Sequence, residues 1–515
     1  MSVVKLKLPE RAKKIQITPE CEERFVSFLY RKLGLVIQDH QLRSMRDTIE
    51  QGSHLFGYRE CEAYLKALEF CSTSSPEMEQ LIAGVTIGES YFFRDHKQIN
   101  YLRDNWLPEL INRRRKEGNR SIRIWSAGCS NGQELYTVAM LLAEQIPDLE
   151  AWNIHLLGTD INADVLSNAV HGHYTEWSFR AMTDAMRERH FSSQNRGHVI
   201  HSALRRMAHF TYLNLADDDY PSILTQTNAL DLILCRNVFI YFDRPVIERV
   251  MQKFTRSLMP GGMVMLGASD LMVSSSADLA LKQKGEIFYY HKSREQESGS
   301  THVTPKRPRQ ISTIPKAVKA RPKKIGKSTP PEHKPTNLSG TAQIDQQLQA
   351  MLHESRWNEA LLEIRRLVKQ QGATALLLQH EAKVMANLGE LEEASRLCNE
   401  SLKLDSLDKH AHFLRGMILT EMGQKGDAEQ SFRKTIYLDS QFAEAHFQLG
   451  TLLFRQEKGD VGLKFLKNAL QLSQQADPEA ELHHAAGMTF QRFAEILENE
   501  MEIYAGSGQV NDYVT

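Results

Sequence analysis

The chain has 515 residues, too many for one hydrophobic core, so roughly two to four domains are expected. Apolar residues make up 41% and charged residues 25%, ordinary for a globular protein, and a formal net charge of −1 gives no overall attraction to nucleic acid or to a membrane surface. Six scattered cysteines (Cys21, Cys61, Cys71, Cys129, Cys235 and Cys398) include no CxxC pair, which argues against a zinc site or a disulfide framework and suits a reducing cytosol.

The opening MSVVKLKLPERAKK lacks the apolar core of a signal peptide, and no apolar run approaches the roughly 20 residues of a membrane helix. A cytoplasmic protein is expected. From about residue 16 to 115, VSFLYRKLG, SMRDTIEQ, ECEAYLKALEF and EMEQLIAGV carry apolar residues at helical spacing, so this is an all-α domain. Over 116–293 short apolar runs alternate with amphipathic stretches: IRIW (122–125), IHLLGT (154–159), HFTYL (209–213), DLILC (231–235), MVMLGA (263–268) and IFYYH (287–291). Strands alternating with helices predict a doubly wound, parallel α/β domain of Rossmann-like type.

Residues 294–340 form a linker. Within it, 301–336 holds ten Lys/Arg, one Glu and seven Pro, too little apolar surface to fold. It reads as a solvated spacer, with docking to an anionic partner as the alternative. An internal repeat follows over 341–475. Ala360, Ala394, Ala428 and Gly462 are each 34 residues apart, as are Ala382, Gly416 and Gly450, and Leu404, Leu438 and Leu472. Gly389 and Gly423 mark turns, and Asp405 and Asp439 mark repeat ends. Small residues where paired helices meet, at this period, are the tetratricopeptide pattern, an α-solenoid. No cluster of His, Cys or acids at ligand spacing is evident there, and no metal is expected. Over 476–515 a capping helix, read as 479–503, and a tail complete the chain.

The stretch IRIWSAGCSNGQELYTVAMLLAEQ (122–145) carries the chemistry. A strand ends at Ser126, the loop Ala127-Gly128-Cys129-Ser130-Asn131-Gly132 follows, and a helix begins. Glycines there admit a ligand to the backbone, and the helix start offers free N–H groups. Gly128–Gly132 also spells G-x-S-x-G, the nucleophile elbow of hydrolases. Three features oppose that reading: the loop follows the first strand, the next strand ends in Asp160, where a ribose diol is gripped, and no histidine sits in a suitable later loop.

Residues 18–293 resemble the CheR family, the chemotaxis-receptor glutamate O-methyltransferases. The resemblance lies in Ile87-Gly88-Glu89-Ser90-Tyr91-Phe92-Phe93-Arg94-Asp95, RIWSAGCSNGQELY (123–136), GTDINADVLSNA (158–169), YLNL (212–215), CRNVFIYF (235–242) and PGG (260–262). It implies S-adenosyl-L-methionine as cofactor. Arg94 and Ser90 would hold its methionine carboxylate, Glu134 would face it, and Asp160 would take the ribose hydroxyls. Asn214 and Leu215 would flank the adenine, Arg236 and Asn237 would line the pocket, and Tyr241, with Arg94, would stand nearest the chemistry. Plainer readings stay open: a surface ion pair for Arg94, packing for Tyr241, a first-turn charge for Glu134 and a turn cap for Asp160. The family's glycine-rich insert, which in some members docks a receptor pentapeptide, corresponds to 192–207, which has one glycine, Gly197.

The implied substrates are methyl-accepting chemotaxis receptors, with membrane proximity only through them and no nucleic acid. The repeats are expected to bind an unidentified protein and, on the long linker, to roam relative to an enzyme (1–293) that folds alone. The alternative is a weak or inactive cofactor-binding adapter that recruits signalling partners through the repeats.

Overall fold

Apolar residues at helical spacing build the first part of the chain as expected. The computed structural model describes residues 15–86, 88–194, 197–216, 220–270, 276, 278–293, 338–353, 356–456, 458–485 and 488–508. Helices α1 (Pro19–Leu33), α2 (Leu42–Leu55), α3 (Cys61–Phe70) and α4 (Pro76–Val85) pack around Phe25, Leu29, Ile49, Tyr64, Leu65 and Leu81. Thr18 caps α1 by accepting the Cys21 N–H, and Ser75 caps α4 in the same way. Helix α5 (His96–Tyr101) continues through a π turn, Leu102–Trp106, into α6 (Leu107–Lys116). One expectation fails here: Cys21 and Cys61 form a disulfide that ties α1 to α3. Their separation of 40 residues carries no local signature, and only helix packing brings them together.

The α/β region runs β1 (Ser121–Ala127), α7 (Gln133–Gln145), β2 (Asn153–Asp160), α8 (Ala163–His171), β3 (His173–Tyr174), α9 (Asp184–His190), β4 (Phe191–Gln194), β5 (Gly197–Ile200), α10 (Ser202–Arg205), β6 (Ala208–Tyr212), β7 (Leu230–Cys235), α11 (Arg244–Ser257), β8 (Leu258–Leu266), β9 (Leu279–Lys284) and β10 (Ile287–Lys292). The seven-stranded sheet has the order β6-β2-β1-β7-β8-β10-β9. From β6 to β8 all pairs are parallel, and β10 runs antiparallel to both β8 and β9. The sheet is thus Rossmann-like with an antiparallel edge. Strands buried on both faces explain the continuous apolar runs. On β7, Leu232 and Leu234 face the α7 side, while Ile233 and Cys235 join Val246, Val250 and Phe254 of α11 on the other. The 192–207 region contributes to a small antiparallel sheet, β3-β5-β4.

The repeats are helix pairs. They run α12 (Leu338–His353), α13 (Trp357–Gln371), α14 (Ala375–Leu388), α15 (Leu391–Leu404), α16 (Lys409–Glu421), α17 (Lys425–Leu438), α18 (Ala443–Phe454) and α19 (Gly459–Gln475). The small residues stand where the pairs cross: a Cβ on Gly416 would lie 2.6 Å from the Phe432 ring, and one on Gly450 2.8 Å from Leu466. The expected terminal helix is shorter than read. The described residues between α19 and α20 (476–485, 488 and 489) are irregular, with a bridge between Glu481 and Thr489, and α20 covers Phe490–Gly508. No ligand-spaced cluster is expected within 341–475; across its boundary, His410 of α16 meets His483 and His484 of this segment, their ligand atoms within 4.8 Å of one another. Of the linker read as 294–340, residues 294–337 lie outside the described residues, as does the tail from 509, while 338–340 already belong to α12. No described helix is long and apolar enough to cross a membrane.

The repeats do not roam in this structure. Arg123 of β1 is buried and pairs with Glu421 at the end of α16. Asn228 donates to the Ala386 carbonyl (3.1 Å), Gln448 to the Leu224 carbonyl (3.2 Å) and Arg455 to Gln226 Oε1 (2.8 Å). These contacts cover the N-terminal edge of the sheet. Helix α20 then lies along α8 and β6, and reaches the α3–α4 turn, where Thr73 donates to Glu495 (3.1 Å). The composition of the linker permitted freedom, but buried polar partners on both sides remove it.

Candidate active site

Strand β1 delivers the chain into a loop that only glycine can make at two points. Gly128 has φ +77°, and a Cβ there would sit 2.4 Å from Val238 Cγ2. Gly132 has φ +81°, and its Cβ would meet Phe210 at 2.8 Å and Ala169 at 2.9 Å. Backbone conformation and space both exclude a side chain. The loop is pinned to the next strand end: Ser130 N–H donates to Asp160 Oδ2 at 2.9 Å, and Asn162 N–H to Asp160 Oδ1 at 3.1 Å. Burial raises the Asp160 pKa above the ordinary carboxyl value, and these backbone N–H groups offset part of that rise.

A cavity of about 330 Å³ opens where the strand order reverses, between the C-terminal ends of the central strands and the helical N-terminal region. That is where an open α/β sheet places ligands. Ser90, Arg94, Glu134, Asp160, Leu215, Arg236, Asn237 and Tyr241 all line it. Asn214 does not: it is buried, and its Oδ1 accepts the Ala216 N–H at 3.0 Å, so it shapes the turn that presents Leu213 and Leu215 to the cavity.

Charge in the cavity is arranged in a chain. Arg236 pairs with Glu134 Oε2 at 3.0 Å and also donates to the Arg94 carbonyl. Glu134 Oε1 accepts from Ser126 Oγ at 2.7 Å. Glu134 is thereby committed to neighbours within the protein, and Arg236 holds the backbone from which Arg94 projects. Phe93 and Asp95, flanking Arg94, both have left-handed backbone (φ 57° and 62°), as do Ser130 (51°) and Asn237 (61°). Such strain in non-glycine residues concentrates at functional sites.

Two features escaped sequence reading. Asp270, after β8, accepts the backbone N–H groups of Asn237 (2.6 Å), Gly267 (2.7 Å) and Phe239 (3.0 Å), and so fixes the loop that carries Asn237 and Tyr241. Val36, after α1, donates to the Tyr241 carbonyl at 2.8 Å, tying the helical region to the same loop. Sequence gives an acid after a strand in the first case and no signal in the second. The nucleophile-elbow reading gains nothing here. Ser130 Oγ donates to the Gly88 carbonyl at 2.8 Å, and no histidine stands among the described residues lining the cavity.

The donors and acceptors present suit a ligand with a carboxylate for Arg94, vicinal hydroxyls for Asp160 and a flat apolar ring for Leu213 and Leu215. The profile described as CheR methyltransferase, SAM binding domain, matches residues 88–287. A chemotaxis protein methyltransferase of Borreliella burgdorferi is 30% identical over 258 residues, spanning 50% of this chain and 89% of that protein. Chemotaxis protein methyltransferase 2 of Vibrio cholerae is 28% identical over 276 residues, 53% of this chain and 93% of that one. Among solved structures, that of MamA protein is similar at 17% identity and a TM-score of 0.24, covering 26% of this chain and 73% of that one. The solenoid rests on the helix pairs themselves.

Proposed function

The chain belongs to the CheR family of methyltransferases, and from that membership we propose that it transfers the methyl group of S-adenosylmethionine to glutamate side chains of methyl-accepting chemotaxis receptors. The observation that carries the reading is the convergence of Arg94, Asp160, Arg236 and Asn237 on one cavity at the sheet's switch point. The relatives matched are named methyltransferases, which favours methyl transfer over a binding-only adapter.

In this reading Arg94 and Ser90 hold the carboxylate end of the cofactor, and Asp160 accepts from the ribose hydroxyls. Leu213 and Leu215 wall the adenine, with Asn214 holding their turn. Glu134, neutralised by Arg236, stiffens the floor beneath Arg94, and Asn237 and Tyr241 border the reacting end. The cofactor supplies a sulfonium methyl that is already an electrophile. A glutamate carboxylate is ionised at neutral pH, so no general base is needed. The protein's task is alignment in a cavity that excludes water, and well-oriented partners gain up to about 10 kcal/mol that way. Esterification removes one negative charge from a receptor helix and shifts a two-state signalling equilibrium.

The domain plan accompanying this function is a helical region (16–115), the methyltransferase (116–293), the linker (294–340), the repeats (341–475) and the terminal helix with tail (476–515). The repeats recruit a protein partner from the cytoplasmic side. Leu404, Leu407 and Tyr437, at 59%, 67% and 81% exposure, offer apolar contact there. The test incubates the intact protein and methyl-labelled S-adenosylmethionine with receptor-bearing membranes. Label on the receptor, released as methanol by mild alkali, is expected. Alkali-stable label, or none, would overturn glutamate esterification.

A further inference from the structure

Three histidines that play no part in the methyltransferase site meet on the far side of the molecule. His410 lies in the first turn of helix α16 of the solenoid, and His483 and His484 lie in the irregular segment between α19 and α20. His410 Nδ1 and His484 Nε2 are 3.0 Å apart, and the rings of His410 and His483 stack at 4.0 Å between centroids. One ligand nitrogen from each ring falls within 4.8 Å of the others. Two imidazole nitrogens on one tetrahedral zinc ion stand about 3.3 Å apart, given zinc–nitrogen bonds of about 2.0–2.1 Å. The closest pair, at 3.0 Å, is near that spacing, and the third nitrogen, within 4.8 Å of the others, would close by up to about 1.5 Å to match it.

We propose that His410, His483 and His484 bind a late first-row divalent cation, with Zn²⁺ the best fit, and that this ion clamps the segment before α20 onto the solenoid. Three imidazoles with no thiolate are a ligand set suited to zinc, nickel or copper, and unsuited to calcium or magnesium. Neutral rings are needed to ligate, and the surroundings favour them: burial draws His410 down to about 4 and lowers His484, with Lys383 adding to the effect on His484. Charge around the cluster favours a dication. Asp345, Asp408, Asp439 and Glu444 face it, against Lys383, Lys409 and the neighbouring His380. The backbone of His483 and His484 lies against the Glu444 carboxylate and favours its charged form, against the rise that burial causes. Solvent has access, since His483 is exposed and a cavity of about 510 Å³ reaches both it and His484.

The consequence lies in α20. That helix is the strap joining solenoid, sheet edge and N-terminal helices, and the histidine segment is its only covalent lead-in from α19. An ion there would hold the strap in place.

The experiment uses the untagged full-length chain, stripped with a chelator and titrated with ZnCl₂ by calorimetry, with metal content measured by mass spectrometry. One zinc per chain and a higher melting temperature with zinc are expected. Cobalt(II) loading should give visible absorption of a nitrogen-rich site. His483→Ala removes an exposed ring and leaves the fold intact, so it should weaken zinc by more than about tenfold, and His410→Ala should do the same. His173→Ala, on the remote strand β3, should bind as the parent does. No stoichiometric zinc in the parent, or unchanged affinity in His483→Ala, would reduce the cluster to a stack of neutral rings and overturn the proposal.

Discussion

Arg123 on the first strand of the sheet and Glu421 at the end of a solenoid helix form an ion pair buried on both sides. Arg123 also donates to the carbonyls of Asn228 and Gln226, both at 3.1 Å. Removing the acid leaves a guanidinium shut away from water with only Asp231, already paired to Arg114, as nearby counter-charge. We therefore expect Glu421→Ala to cost about 3–5 kcal/mol in denaturant unfolding. Adding Arg123→Met should restore much of that loss, because the charge leaves with its partner. A Glu421→Ala variant as stable as the parent would mean that the solenoid leaves the sheet in solution.

Asp160 should control cofactor affinity. Its two oxygens organise the glycine loop and face the cavity. Asp160→Asn is expected to weaken S-adenosylhomocysteine by about 1.5–3 kcal/mol, the value of a hydrogen bond to a charged group, with an unchanged near-ultraviolet spectrum. The pH dependence has a definite sign. Burial raises the Asp160 pKa, so its charge is present well above that value and is lost as pH falls through it. Affinity should therefore decline from neutral toward acid pH, beginning at higher pH than an exposed carboxyl would give. The Asn variant should show a flatter profile.

A pair of glycines separates strain from space. Gly118 and Gly128 both have left-handed backbone, but a Cβ at Gly118 meets nothing within 4 Å and one at Gly128 strikes Val238 at 2.4 Å. Gly118→Ala should cost about 1 kcal/mol or slightly more and leave cofactor binding intact. Gly128→Ala should abolish measurable binding, because the loop or Val238 must move into the cavity. Equal effects at the two positions would remove the steric argument.

What could be read from the chain and what could not divides along physical lines. Strands β1, β2 and β7 were legible because burial on both faces demands unbroken apolar runs. The edge strand β9, LALKQK, was not, since only its first residue is buried and its composition resembles a loop. The glycine loop was legible because close approach leaves no alternative residue. Asp270 was not, because its meaning comes from three N–H groups of a loop folded around it. The same holds for Arg123 and Glu421, which look like surface charges in sequence, for the Cys21–Cys61 bridge, and for His410 with His483 and His484. Long-range pairing writes no local pattern. The tetratricopeptide period, by contrast, repeats its own signal, so the solenoid was plain while its docking was not.

The last prediction concerns the enzyme without its repeats. The reading of 1–293 as a self-sufficient unit came from the linker, whereas the structure shows α20 covering α8 and the β6 edge with Phe493, Ile496, Leu497 and Ile503 buried. Each fully buried side chain of this kind contributes about 1.5–3 kcal/mol. Losing them, together with the contacts at Arg123 and Asn228, should leave the 1–293 fragment folded but clearly less stable than the whole chain. Arg123 would then regain water, so the fragment escapes the penalty that Glu421→Ala suffers. The cavity lies at the opposite end of the strands from the solenoid, and none of the described residues lining it comes from beyond 293. Affinity for S-adenosylhomocysteine should therefore stay within about threefold, while the melting temperature falls by several degrees. Calorimetric titration and thermal unfolding of the two proteins side by side measure both quantities. A fragment that melts like the full chain would show that the docked interface contributes little. A stable fragment that no longer binds would show that the solenoid shapes the cavity through the sheet.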